Sequence, residues 1–347
     1  MIAVTRRIGI LTGGGDCPGL NAVIRAVVRR AESYDIAVLG FRNGWQGVLD
    51  ASVERLDRGA IKGILHRGGT ILGTSRTDPI AEPDGVSRIT ETLQIHELDG
   101  LVVIGGEGTL SAARMLSEDH DIPIIGVPKT IDNDLGGTDF TIGFSTAVEI
   151  AADAVDRLHS TAESHNRVML LELMGRHAGG IATHAGIAGG ADAILIPERP
   201  FDLDAVCRHL RRRHGMGRNF SIVVVAEGAV PKEGTMTMPD YQLDEFGRPR
   251  LGGIANVLGP EIERRTGFST RVTVLGHVQR GGSPNAADRV LASSLGVAAA
   301  DHAQHGTWGV MVGQNGNMVQ SCPLAAATRE LKQVPDHLFE VARVFFG

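Results

Sequence analysis

Residues 7–32 read RIGILTGGGDCPGLNAVIRAVVRRAE, and the order of residue types along this stretch decides the fold class. Arg7 to Thr12 is a short apolar run, which predicts a buried β-strand. From Pro18 onward, Leu20, Ile24, Val27 and Ala31 recur at helical spacing on one face, which predicts a helix packed by that face. Pro18 suits the first turn of a helix, where its missing N–H would have had no intrahelical acceptor. Gly13, Gly14 and Gly15 lie between the two elements. A strand, a glycine-rich turn and a helix in succession form the unit from which parallel α/β sheets are built.

The unit repeats along the chain. Further strands are predicted at Ala37 to Phe41, Gly100 to Ile104, Ile122 to Val127, Arg167 to Leu173, Ala193 to Ile196, Phe220 to Ala226, Val272 to Leu275 and Trp308 to Val312. Helical periodicity fills 108–117, 145–162, 177–188, 203–214, 252–266 and 284–304. The segment from Pro231 to Pro249, rich in Gly, Pro and charge, reads as a surface excursion or hairpin. At 347 residues, and about 150 residues per domain, the chain is expected to form two lobes with a cleft between them. In an open α/β sheet ligands bind beyond the carboxyl ends of the strands, so the glycine-rich strand ends are where sites are expected.

Composition narrows the class. A net charge of -6 argues against nucleic acid as the main partner, since binding a phosphate backbone needs a clustered positive surface. Cys17, Cys207 and Cys322 are odd in number and lack metal-ligand spacing, which supports neither a disulfide framework nor a zinc site and fits a reducing cytoplasm. No apolar run reaches the ~18 residues of a membrane span, and the N-terminus passes directly into a strand without a signal-peptide pattern.

Five segments at strand ends carry chemistry. Gly13-Gly14-Gly15-Asp16 lets backbone N–H groups approach an anion at a helix N-terminus, or is simply a tight turn. It does not fit the dinucleotide fingerprint, because Pro18 stands where the third glycine is required, and no G-K-[ST] occurs for a P-loop. Gly105-Gly106-Glu107-Gly108-Thr109 sets a carboxylate and a hydroxyl among glycines, and such a carboxylate can hold Mg²⁺ against phosphates or face solvent. Lys129-Thr130-Ile131-Asp132-Asn133-Asp134 places two carboxylates beside a hydroxyl and a cation. There Asp132 can accept a proton from an attacking hydroxyl that Thr130 directs, with Asp134 orienting or helping to hold metal; the alternative is an Asx-rich turn. In Met174-Gly175-Arg176 the guanidinium can clamp a phosphoryl group. In Gly276-His277-Val278-Gln279-Arg280, preceded by Arg271, His277 and Arg280 can meet a sugar phosphate together, or His277 is a structural histidine, and Glu227 is either a loop charge or an acceptor for a sugar hydroxyl.

Taken together, GGGDCPGLNAVIR, GGEGT, PKTIDND, MGRHAG and GHVQRGGSP closely resemble the phosphofructokinase family, in order and separation, from Gly13 to about Arg289. The resemblance implies two Rossmann-like three-layer lobes: 1–142 plus about 280–330 for the phosphate donor, about 143–279 for fructose 6-phosphate, and a C-terminal helical segment over 331–347. It implies a cytoplasmic glycolytic kinase that phosphorylates O1 of fructose 6-phosphate, with Asp132 as general base. Gly15, Arg76, Thr77, Gly106, Gly108 and Thr109 would contact the donor, and Glu107 would bind Mg²⁺. Thr130, Ile131, Asp132, Met174, Gly175, Arg176, Glu227, His277, Val278, Gln279 and Arg280 would hold fructose 6-phosphate. Arg167 and Arg271 would act in trans in a homo-oligomer, a tetramer or a dimer.

Two positions bear on the donor. ATP-using relatives usually carry Gly at both the 108 and 129 positions, and pyrophosphate-using relatives Asp and Lys. Here Gly108 stands with Lys129, a mixed pair that resembles the actinobacterial branch. An Asp at 108 would crowd and repel a nucleotide α-phosphate, so Gly108 favours ATP, whereas Lys129 is compatible with either donor. Arg25 and Arg29 match positions that bind allosteric effectors in some bacterial relatives, or form a solvated basic face. A GGDGT-like turn also occurs in NAD kinases and diacylglycerol kinases, which would not carry the other segments. A non-catalytic sugar-phosphate sensor would be free to lose Asp132, Arg176 or Glu107, and all three are present.

Overall fold

The structure, a computed structural model, describes residues 6–236 and 252–346, so most of the excursion expected after Pro231 lies outside the described residues. In chain order the elements are β1 (Arg7–Thr12), α1 (Leu20–Glu32), β2 (Ala37–Phe41), α2 (Trp45–Leu49), β3 (Val53–Leu56), α3 (Gly85–Ile95), β4 (Gly100–Gly105), α4 (Glu107–His120), β5 (Ile124–Pro128) and α5 (Phe144–His165). They continue with β6 (Val168–Leu173), α6 (Gly180–Ala188), β7 (Ala193–Leu195), α7 (Leu203–Gly215), β8 (Ser221–Ala226), α8 (Ile254–Thr266), β9 (Thr270–Val274), α9 (Ala286–His305), β10 (Val310–Asn315), β11 (Met318–Pro323), α10 (Leu324–Thr328) and α11 (Asp336–Val344). Two compact units result: residues 1–146 with 280–331, and residues 147–279 with 332–347.

The first unit holds a seven-stranded sheet of order β11-β10-β5-β4-β1-β2-β3. Its five inner strands are parallel, and antiparallel β3 and β11 close the two edges. Leu11, Leu101 and Val103 face a core with Trp45, Ile89, Leu110 and Leu116 from α2, α3 and α4. The chain leaves β1 toward β2 and returns on the other side as β4, so the strand order reverses between β1 and β4. The glycine turns after β1 and β4 flank that reversal, where an open sheet offers a crevice.

A four-stranded parallel sheet of order β7-β8-β6-β9 forms the second unit. Val168, Leu170, Val223 and Val225 pack on Leu203, Leu210, Leu258 and Ile262 of α7 and α8. Residues of β6 and β8 are buried throughout, which explains why they read as continuous apolar runs rather than alternating ones.

Every strand and helix predicted from the sequence is present, displaced by three residues or fewer at its ends. The expectation for Pro18 differs in detail: α1 begins at Leu20, and Gly19 is its N-cap at φ 114. A Cβ on Gly19 would sit 2.5 Å from the Ile142 side chain, so the chain turns at this glycine and Pro18 falls just outside the helix. The predicted helix start at 177 also moves, to Gly180, because residues 177–179 belong to the loop that leaves β6.

Candidate active site

The Gly13–Gly15 turn is held from three sides within the first unit. Gly13 N donates to Ile104 O (2.9 Å) and Gly14 N to Ser75 O (3.0 Å), while Thr74 Oγ1 donates to Gly14 O (2.6 Å). The segment that leads to Arg76 and Thr77 is thereby attached to the turn, and Thr77 Oγ1 donates to Gln46 Oε1 at 3.1 Å. Thr109, nearly buried in the first turn of α4, faces the same glycines: a Cβ on Gly13 would lie 2.7 Å from its hydroxyl. Gly106 is the N-cap of α4 and Glu107 its first residue, so the turn, the hydroxyl and a helix N-terminus converge on one anion-favouring end.

Lys129, just beyond β5, is 2% exposed. Its Nζ donates to Gly13 O (2.9 Å) and Gly15 O (2.5 Å). Burial pushes the Lys129 pKa below the ordinary lysine value, with Cys17, Asp16 and Asp134 acting in the opposite sense and Arg280 in the same one. Burial likewise pushes the Cys17 thiol up to about 12, so it is a packed and inert group. Arg280, expected among the fructose 6-phosphate residues, lies against this turn: its Nη1 donates to Asp16 O (3.2 Å), and a Cβ on Gly15 would come within 2.7 Å of it.

The loop after β5 carries the carboxylates. Asp132 N donates to Thr130 Oγ1 (3.2 Å), and Asn133 holds the loop's far side by accepting from Thr141 N (2.9 Å) and donating to Asp139 O (3.1 Å). Thr141 Oγ1 then donates to Thr130 O at 2.6 Å. The local side-chain turn is thus at Thr130 rather than at an Asp, Asn133 bridges across the loop to Thr141, and Asp132 and Asp134 are partly exposed on either side of it. Sequence reasoning missed the anchor of this loop. Asp288, 1% exposed at the start of α9, accepts from Gly143 N (2.9 Å), Thr146 N (2.8 Å) and Thr146 Oγ1 (2.5 Å).

In the second unit the carboxyl ends of β8, β6 and β9 stand side by side. Glu227 N donates to Leu173 O (2.8 Å), Gly228 N to Gly175 O (3.1 Å) and Leu275 N to Glu172 O (3.1 Å). Glu227, the Met174–Arg176 loop and the 3-10 turn Gly276–Arg280 with exposed His277 and Val278 thus lie at one edge of one sheet. Gln279 is fully buried, and its Nε2 donates to Gly276 O (3.2 Å). Arg167 and Arg271 are not at that edge. Arg167 precedes β6, and Arg271 pairs in register with Met169 near the amino end, where it donates to Thr270 O (2.8 Å).

The phosphofructokinase family model matches residues 7–303. The chain belongs to the phosphofructokinase family. A protein of Streptomyces coelicolor named pyrophosphate–fructose 6-phosphate 1-phosphotransferase is 52% identical over 342 residues, covering 98% of this chain and 100% of that one. One of Mycobacterium leprae named ATP-dependent 6-phosphofructokinase is 51% identical over 348 residues, with 98% and 100% covered. The pyrophosphate-dependent phosphofructokinase of Marinobacter aquaeolei matches in structure at a TM-score of 0.83, with 25% identity over 96% of this chain and 86% of that chain.

As a phosphofructokinase family member the chain is a phosphotransferase, and the relatives' names divide over the donor. Among the described residues no helix is long and apolar enough to cross a membrane, and no cluster of three His, Cys, Asp or Glu side chains forms a metal cage. Glu107 is exposed at the N-terminus of α4, where its Oε1 accepts from Ser111 Oγ (2.9 Å). One carboxylate beside an anion-favouring glycine turn fits Mg²⁺, which takes few protein ligands and completes its shell with phosphate and water.

Proposed function

We propose that the chain is an ATP-dependent 6-phosphofructokinase that converts D-fructose 6-phosphate to fructose 1,6-bisphosphate in cytoplasmic glycolysis. In this reading Gly15, Arg76, Thr77, Gly106 and Thr109 position the donor phosphates. Bound through Glu107 and the donor, Mg²⁺ would neutralise charge on the transferring group. Asp132 accepts the proton of the sugar's 1-hydroxyl, Thr130 directs that hydroxyl, and Met174, Gly175, Arg176, Glu227 and His277 hold the sugar phosphate. Arg280, lying against Gly15, adds positive charge beside the donor turn. Arg167 and Arg271, remote from the acceptor edge of their own sheet, act in trans within a homo-oligomer.

One observation carries the choice of ATP. A Cβ on Gly108 would meet nothing within 4 Å, and Gly108 has no left-handed φ. Glycine in a helix is less favourable than alanine by about 1 kcal/mol. Neither backbone nor packing requires it here, so the open space over the α4 N-terminus is kept for a ligand bulkier than pyrophosphate. Pyrophosphate is the second reading, favoured by Lys129 and by the Streptomyces relative. A coupled assay with each donor separates them: MgATP is expected to give kcat/KM at least about 10²-fold above pyrophosphate, a gap of about 2.7 kcal/mol. Gly108→Asp should fold normally and lose ATP turnover, and comparable kcat/KM for pyrophosphate in the wild-type protein would overturn the assignment.

A further inference from the structure

Glu198 lies between β7 and α7, outside every motif discussed above. Both of its carboxylate oxygens lie 3.0 Å from Gly179 N, whose N–H they accept, and Oε1 also accepts from Val334 N at 3.1 Å. Gly179 is the N-cap of α6 and the last residue of the loop that begins at Met174. A Cβ there would collide with Ile196 and come within 3.0 Å of Glu198 Oε2, so the loop is pressed directly onto the 196–198 segment. Its other side is braced by Gly228, whose N–H reaches Gly175 O at 3.1 Å.

The neighbouring Arg199 grips the end of the chain. Its Nη2 donates to Asp336 Oδ1 (2.6 Å), its Nη1 lies 3.5 Å from Glu340 Oε1, and its guanidinium stacks 4.4 Å above the Phe339 ring. α11 packs on α6, with Phe339 and Ala342 buried. Glu198 therefore joins the C-terminal segment 332–346 to the loop carrying Met174, Gly175 and Arg176 by one shared carboxylate, while the Arg199 guanidinium ties α11 to the same dipeptide.

We propose that Glu198 is a positioning residue for the sugar-phosphate half of the site, and that through it the C-terminal segment sets the geometry of the Met174–Gly179 loop. The inference rests on the proposed acceptor reading only for its kinetic consequence. A carboxylate shared by two backbone donors fixes both at once, and releasing either lets the loop relax away from the Arg176 position that binds phosphate. Because the residue touches neither donor nor reacting atoms, its loss weakens ground-state and transition-state binding of the acceptor alike, which raises KM with little effect on kcat.

The test uses the full chain. Glu198→Ala is expected to raise KM for fructose 6-phosphate about tenfold, with kcat and the donor KM within about threefold. Amide hydrogen exchange at Gly179 should accelerate about tenfold or more. Glu198→Gln, which keeps an acceptor oxygen, should recover most of the loss and serves if the alanine variant does not fold. Phe339→Ala should act in the same direction, and its effect should not add to that of Glu198→Ala. Unchanged Gly179 exchange, an unchanged acceptor KM, or full additivity with Phe339→Ala overturns the proposal. A wild-type protein inert toward fructose 6-phosphate would instead refute the proposed function, and the exchange measurement would still decide the role of Glu198.

Discussion

Replacing Lys129 by Met tests whether that side chain contacts the phosphoryl donor or braces the turn that does. In the structure the ammonium is spent on Gly13 O and Gly15 O, at 2.9 and 2.5 Å. Methionine of similar length fills the volume but leaves two buried carbonyl oxygens without that donor. Each lost bond to a charged group is worth about 1.5–3 kcal/mol, against which the relief of an ammonium's desolvation offsets several kcal/mol. The expected net loss of stability is thus small, about 1–3 kcal/mol, read from denaturant midpoints. Function should suffer more, because a turn misplaced by about 1 Å can lower the rate about 10²-fold. Since the brace serves any donor, kcat/KM for MgATP and the affinity for pyrophosphate, as substrate or competitive inhibitor, should fall by similar factors. A change in the ratio of the two greater than about tenfold would refute the brace and make Lys129 a donor contact.

The same residue predicts a pH dependence. Burial lowers its folded pKa, so above that value and up to the ordinary lysine pKa of about 10.4 the unfolded chain holds more protons. Stability from this group therefore rises with pH through that window and is flat below it. Activity runs the opposite way: the ammonium that draws Gly13 O and Gly15 O together is lost as pH rises through the lowered pKa. kcat/KM for the donor should show an alkaline fall in the wild-type protein that Lys129→Met lacks.

Two further predictions concern the loop after β5. Asp132→Ser should lower kcat by at least 10²- to 10⁴-fold, the usual effect of losing a general base, with little change in thermal unfolding; near-normal turnover would remove Asp132 from its role. Asp288→Asn puts an amide where the carboxylate accepts from Gly143 N, Thr146 N and Thr146 Oγ1, so at least one charge-assisted bond fails. A loss of about 1.5–3 kcal/mol corresponds to a Tm lower by about 2–4 °C in a chain of this size, measurable by calorimetry, and an unchanged Tm would show that the anchor is dispensable.

The parts of the molecule that were legible in the sequence are those in which neighbouring residues state their own environment. Continuous apolar runs announced the inner parallel strands, and the strand-to-helix turn followed from Gly13 to Gly15. Antiparallel β11 was not anticipated, although Gly316-Asn317 between paired Asn315 and Met318 is a two-residue hairpin signal. Its strand is exposed and places two apolar residues before two polar ones without alternation, so periodicity gave no warning. Edge strand β3 and helix α2 were missed because four and five residues are too few to establish a period. At the site the loss was of another kind. Arg176 and Glu107 stand beside glycines and Asp132 stands in one short polar loop, whereas Asp288 lies 145 residues from Gly143 and Glu198 lies 19 residues from Gly179 and 136 from Val334. A carboxylate that accepts backbone N–H groups across such separations carries no local pattern, since any segment can supply the donor. Lys129 shows the converse. Its position in PKTIDND pointed at the donor, but the 116 residues between it and Gly13 concealed that its ammonium is already satisfied by the turn. Residues proposed to face the ligand stand in motifs that the sequence displays, while those that hold the motif in place emerge only once the chain has folded back on itself.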